Sequence, residues 1–159
     1  MTLPSVPPVI GALTVKPRWD KYDPYVGNFR APLAVDATLD QANLIIGVGI
    51  NSSGACVLGA GQTGIVGVIV MPVGVDVHGY LLEPPIAGNI VDVGKCGEIT
   101  NFNGTDYGVA GAGLFSATVA APTAGTKYYI KPDGSLTTTA GTNVYLGHTV
   151  EASRLIVCL

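Results

Sequence analysis

Charge is what this chain has least of. Asp, Glu, Lys and Arg make up 12% of its 159 residues, against roughly 25% in an ordinary soluble domain. That excludes a heavily charged exterior, so much of the outside is neutral or covered by another chain. Contiguous apolar surface on a protein marks an interface. The eight Lys and Arg are scattered and the net charge is −3. No basic stripe exists to displace counterions from nucleic acid, so nucleic acid is not an expected partner. Histidine is scarcer still. His78 and His148 have no Cys, Asp or Glu at ligand spacing, so no metal is expected. Cys56, Cys96 and Cys158 are odd in number and form no C-x-x-C pair. They are read as three buried thiols acting as small hydrophobes, not as a disulfide framework or a zinc site.

Other absences narrow the class further. The opening "MTLPSVPPVIGALTVKPRW" has no basic start, and prolines break its apolar run, so no signal peptide is expected. No charge falls between Asp40 and Asp76, but Asn51, Ser52, Ser53, Gln62 and Thr63 interrupt that window. Its cleanest apolar piece, Ile65 to Val75, contains Pro72 and is far short of the roughly 20 residues a spanning helix needs. No membrane association is expected. No segment of useful length shows helical periodicity, and there is no G-x-S-x-G nucleophile elbow.

What is present is glycine, proline and β-formers. The stretch before Asp40 holds Pro4, Pro7, Pro8, Pro17, Pro24 and Pro32. Proline fixes φ and pushes its predecessor to extended geometry, so residues 1–43 are read as an extended N-terminal arm. Arg18, Trp19, Tyr22, Tyr25, Phe29 and Arg30 lie in it, and aromatics with arginines are the residues that anchor interfaces. Two readings stand side by side: the arm lies along a partner, or it folds back and its aromatics join the core. Residues 44–159 are read as a β-domain. "NLIIGVGI", "ACVLGA", "GIVGVIV", "NIVDVG", "GLFSATV", "TKYYI", "GSLTTT", "NVYLGHTV" and "RLIVCL" are short runs rich in Val, Ile, Thr, Tyr and Leu, separated by turn residues. That pattern predicts an all-β fold, a small barrel or sandwich. Lys131-Pro132-Asp133-Gly134 predicts a tight hairpin. Proline presets the first central position, Asp accepts a backbone bond and Gly takes positive φ.

Gly59, Gly61 and Gly64 spell G-x-G-x-x-G inside "CVLGAGQTGIVGVIVMPVGV", with Glu83 about 20 residues on. A dinucleotide site needs a helix directly after the glycines, whose N-terminus holds the pyrophosphate. The following segment carries Gly67, Pro72 and Gly74 among β-branched residues. An interior proline costs a helix about 3 kcal/mol and each glycine about 1. The segment is predicted to be a strand, the glycines are read as turns or close backbone approaches, and no cofactor is expected. "NFNGTDYG", Asn101 to Gly108, resembles an oxygen-rich cation loop but lacks the acid count of one, and is read as a plain turn.

The phrases "IAGNIVDVGKCGEIT" and "AGTKYYIKPDGSLTTTAGTNVYLGHTVEASRLIVCL" together resemble the capsid cement, or head decoration, proteins of tailed bacteriophages. The likeness lies in their order: a glycine-led strand at Gly88 to Val93, G-x-x-Y-Y at Gly125 to Tyr129, DG-x-L-T at Asp133 to Thr137, then a YLG strand and an apolar C-terminal strand. It spans roughly Gly61 to Leu159. It implies a barrel or tulip-like domain on the outer surface of an icosahedral head, made in the host cytoplasm. It further implies assembly as a homotrimer, clamping of neighbouring major capsid subunits, and no catalysis. The long arm and the segment Thr100 to Ala124 depart from that pattern. The arm residues Arg18, Trp19, Tyr22, Tyr25, Phe29 and Arg30 are the expected capsid contacts. The competing expectations are a phage tail, fibre or baseplate module, a dinucleotide-binding enzyme using the three glycines, and a secreted carbohydrate-binding sandwich.

Overall fold

The computed structural model describes residues 18–19, 27–35, 45–70, 85–100, 102, 123–151 and 154–159. Among them the chain is all-β. The strands in order are β1 (Arg18–Trp19), β2 (Phe29–Pro32), β3 (Ile45–Ile50), β4 (Cys56–Leu58), β5 (Gly67–Val70) and β6 (Ile90–Val93). They continue with β7 (Cys96–Thr100), β8 (Lys127–Ile130), β9 (Leu136–Thr137), β10 (Val144–Glu151) and β11 (Arg154–Cys158). The predicted runs become β3, β4, β5, β6, β8, β9, β10 and β11. "GLFSATV" and "NFNGTDYG" fall outside the described residues, apart from Phe102, as do His78 and Glu83.

The strands form a six-stranded sheet in the order β1-β7-β11-β10-β8-β9, a pair β2-β6 and a triplet β4-β3-β5. Two bridges join the smaller sheets. Leu33, just past β2, pairs with Cys56 of β4, and Val68 of β5 pairs with Gly94, just past β6. Val68 and Gly94 exchange both backbone bonds, at 2.9 and 2.8 Å. The strands β2, β6, β5, β3 and β4 therefore close into a small ring. Closure removes open strand edges, which would otherwise invite pairing with another chain. After Gly94 the chain passes directly into β7, so ring and sheet share one continuous path. The core runs through both parts: Leu33, Ile45, Val48, Cys56, Val68 and Val93 in the ring, and Ile99, Tyr128, Ile130, Leu146, Leu155 and Val157 under the sheet.

Part of the expected arm is built into these sheets. β1 pairs with β7 through Arg18 opposite Thr100 and Trp19 opposite Ile99. β2 pairs with β6 from Phe29 opposite Val93 to Pro32 opposite Ile90. Proline is tolerated there because, among the described residues, β2 has no ladder partner on its other side until Leu33 meets β4.

The predicted hairpin is present and joins the two halves. Gly134 N–H donates to Lys131 O at 2.9 Å and Lys131 N–H to Ser135 O at 2.9 Å. Asp133 Oδ1 accepts from Ser135 N–H at 2.9 Å and from the Ser135 hydroxyl at 2.6 Å. Those two bonds, the hydroxyl's foremost, hold the Asp133 carboxyl below its ordinary value. The tip of this turn docks on the ring. Gly47 N–H donates to Gly134 O at 2.8 Å and Ala60 N–H to Pro132 O at 2.9 Å. A Cβ on Gly134, whose φ is +89°, would lie 2.6 Å from Gly47 O and 2.9 Å from Gly59 N. A Cβ on Gly59, with φ +83°, would lie 2.6 Å from Pro132 O.

Gly134→Ala and Gly59→Ala each combine left-handed strain with a backbone collision, and should cost about 2–4 kcal/mol. Gly54 also has positive φ, but a Cβ there meets nothing within 4 Å, so Gly54→Ala should cost only about 1–2 kcal/mol. Urea unfolding midpoints of the three variants test that order. A second expectation concerns alkali. Burial pushes the Tyr128 phenol from 10.0 up to about 12. A raised folded-state value gives stability that is complete below pH 10 and is lost as pH rises toward 12. Tyr128→Phe should flatten the stability–pH curve in that window.

Candidate functional site

The three glycines of the G-x-G-x-x-G run all have positive φ: +83° at Gly59, +56° at Gly61 and +75° at Gly64. Gly59 meets the hairpin tip. A Cβ on Gly61 would lie 2.6 Å from Val57 Cγ2 and 3.0 Å from Ile50 O. The chain then enters a strand, β5, as the β-branched sequence predicts. Gly59 and Gly61 serve close packing, Gly64 serves only a left-handed turn in open space, and among the described residues no helix N-terminus follows them. Among the described residues no group of three or more His, Cys, Asp or Glu could hold a metal ion. No helix there is long and apolar enough to cross a membrane.

The chemistry on offer is instead that of exposed faces. The outer face of the six-stranded sheet follows from strand alternation. In β11, Leu155 and Val157 point into the core, while Arg154, Ile156 and Cys158 face outward with partial or full exposure. Tyr129 and Tyr145 are register partners on β8 and β10, with ring centroids 5.6 Å apart and planes at 68°. The Tyr145 hydroxyl and His148 Nδ1 are 3.2 Å apart. Burial foremost, then the adjoining Cys158 and Tyr129, raise the Tyr145 phenol above its ordinary value. This aromatic patch offers a large apolar contact area with polar tips, a combination enriched at interfaces. A second apolar patch caps the end of the β2–β6 pair. Val35, Ile86 and Ile90 are 48, 58 and 63% exposed, and exposed Pro32 lies opposite Ile90.

The expected contact residues separate. Arg18 and Trp19 form β1 at the edge of the large sheet. Tyr22 and Tyr25 lie outside the described residues. Phe29 is half-buried and packs against the core. Arg30 is exposed, with Nε 2.5 Å from Asp92 Oδ1 on the facing strand. The cysteines need correcting: only Cys56 is buried, whereas Cys96 is half-exposed and Cys158 exposed. Strand alternation is the reason, since Cys158 follows inward Val157 and so points outward.

Sequence reading missed Asn28. Its side chain is 4% exposed and imitates a strand. Nδ2 donates to Cys96 O at 3.0 Å, while Oδ1 accepts from Lys95 N–H at 2.6 Å and Cys96 N–H at 3.1 Å. An Asn after a Gly reads as a turn, and nothing local reveals a partner 68 positions away.

With this geometry in view, the comparisons with known proteins define the class first. The chain is an all-β phage protein. It is similar to a chain in a solved structure of Mycobacterium phage Patience, with a TM-score of 0.73 and 34% identity over 92% of this chain and 97% of that one. At that identity and coverage the chain belongs to the family of that phage protein. No family model matches it, and no curated protein does.

Asn28→Ala should cost about 1–3 kcal/mol, because it strands two N–H groups and a carbonyl at the β6–β7 junction. Arg30→Ala, which removes an exposed ion pair with Asp92, should stay within about 1 kcal/mol. Chemical denaturation of both variants checks this contrast.

Proposed function

We propose that the chain is a structural virion protein, a capsid decoration protein that binds the outside of an icosahedral phage head and braces contacts between major capsid subunits. The observation that carries the reading is the near end-to-end likeness to a phage protein in a small all-β domain with exposed apolar and aromatic faces. Scarce charge supports it. A chain with 12% charged residues gains more by burying neutral surface than by holding it in water. Apolar area removed from water contributes about 25 cal/mol per Å², and a stable protein–protein contact buries about 800 Å² on each side. Each copy is then held by mass action on a repeating shell.

In this reading the domain is a rigid wedge and the N-terminal residues are the grip. Phe29 belongs to the domain's own core, so anchoring falls to Arg18, Trp19, Tyr22, Tyr25 and exposed Arg30. The second partner is the chain itself, as a homotrimer around a threefold position. Neither a cofactor nor catalysis is part of the mechanism. The placement of Gly59 and Gly61 supports this, since Gly59 packs the ring against the hairpin and Gly61 packs against Val57 and Ile50 within the ring.

Two measurements test the proposal. The purified chain should co-sediment with undecorated heads of its source phage and saturate near one copy per major capsid subunit. A handful of copies per particle would replace this reading with a tail, fibre or baseplate module, and no binding at all would end it. Removal of residues 1–26, which takes the two-residue edge strand β1 but keeps β2 to β11, should abolish binding while the domain stays folded. The cut stops before Asn28 because β2 and its clamp on Cys96 belong to the fold. Undiminished binding by the truncated chain would refute the grip.

A further inference from the structure

Cys96 and Cys158 are separated by 61 residues in the sequence and are direct register partners across β7 and β11. We propose that this pair is an oxidisable dithiol, which a low-molecular-weight disulfide converts to a cross-strand disulfide without rearranging the sheet. The inference is independent of the capsid reading.

Three observations carry it. The first is the kind of pair. Leu159 N–H donates to Lys95 O at 2.9 Å, so the neighbouring pair is the hydrogen-bonded one and Cys96–Cys158 is of the non-bonded kind. The Asn28 amide says the same from the other side. It takes both the N–H and the C=O of Cys96, which therefore point away from β11. In a non-bonded antiparallel pair the Cα atoms stand about 4.5 Å apart and the side chains approach most closely. A disulfide accepts Cα separations of roughly 4.4–6.8 Å.

The second observation is direction. Residues directly opposite each other in a ladder share a face. Leu155, Val157 and Ile99 fill the inner face, so both thiols stand on the outer one. The third is access. Cys158 is exposed and Cys96 half-exposed, whereas Cys56 is buried, with a thiol that burial pushes above its ordinary value. A reagent in solution reaches the pair and not the third cysteine.

The chemistry is thiol–disulfide exchange with oxidised glutathione as the oxidant. The thiolate of exposed Cys158 attacks one glutathione sulfur. A protein–glutathione bond forms, the glutathione S–S bond breaks, and one reduced glutathione leaves. The Cys96 thiolate then attacks the Cys158 sulfur, forms the Cys96–Cys158 bond and expels the second glutathione. Two protein thiols lose two electrons and two protons, and one glutathione disulfide becomes two thiols. The product staples the C-terminal strand to β7, the strand that also carries β1.

The test incubates the full folded chain with oxidised glutathione and reads intact mass, free thiols and a non-reducing peptide map. The expected result is a monomer lighter by two hydrogens, with free thiols falling from the three of the sequence to one, and a single linked peptide joining Cys96 to Cys158. The oxidised form should unfold at higher urea than the reduced form, and dithiothreitol should reverse the shift. Cys158→Ser, at an exposed position that leaves the core intact, should form no internal crosslink. Persistent glutathione on Cys158 with Cys96 still free would overturn the proposal. So would a dimer linked through Cys158 or any linkage that includes Cys56.

Discussion

The structure depends on one place where three backbone segments meet with no side chain between them. β3 contributes Gly47, the turn after β4 contributes Gly59 and Ala60, and the hairpin tip contributes Pro132 to Gly134. Each is held by a backbone hydrogen bond to another. Beside this contact, the passage from β6 to β7 and the Asn28 amide on Lys95 and Cys96 also tie the ring to the six-stranded sheet. With it, the hairpin closes over the ring and Ile130 packs against Gly47. The cost is conformational. Glycine loses more freedom on folding than any other residue, and the chain carries 22 of them. Buried apolar contacts and closed backbone ladders offset that loss, so the sequence between the glycines is so uniformly Val, Ile and Leu.

Much of this was legible from the residues alone. The β-formers separated by turn residues locate eight of the strands, and Lys131-Pro132-Asp133-Gly134 specifies its turn by mechanism. The failure of the G-x-G-x-x-G run to open a helix was legible too, because β-branched residues with Gly67 and Pro72 oppose one locally. What was not legible depends on distance. β7, "CGEIT", lacks an apolar run, and its inward residue is identified only by its partner Leu155. β2, "FRAP", ends in proline and becomes a strand because β6 lies beside it. Tertiary pairing decides both, and a single sequence records no pairing.

The candidate site divides along the same line. Aromatics and arginines marked the N-terminal residues as interface formers by type, but type does not say whose surface they join. Phe29 joins this chain's own core, while Arg30, one residue on, faces solvent beside Asp92. Strand alternation alone separates them. The same alternation undoes the reading of three buried thiols: it sends Val157 inward and Cys158 outward, and places Cys158 across from Cys96 on the outer face.

Asn28 links these threads. Its amide takes the N–H and the C=O of Cys96 that face away from β11, at the β6–β7 corner. One side chain thereby ties the start of β2 to β7 and also sets the orientation of the Cys96 backbone. Residues from Asn28 onward cannot leave the domain without freeing the Cys96 backbone, and before it, among the described residues, β1 pairs Arg18 and Trp19 with Thr100 and Ile99 of β7. The buried amide of Asn28, bonded to Lys95 and Cys96, lets the start of β2 close against the β6–β7 corner without a charged pair.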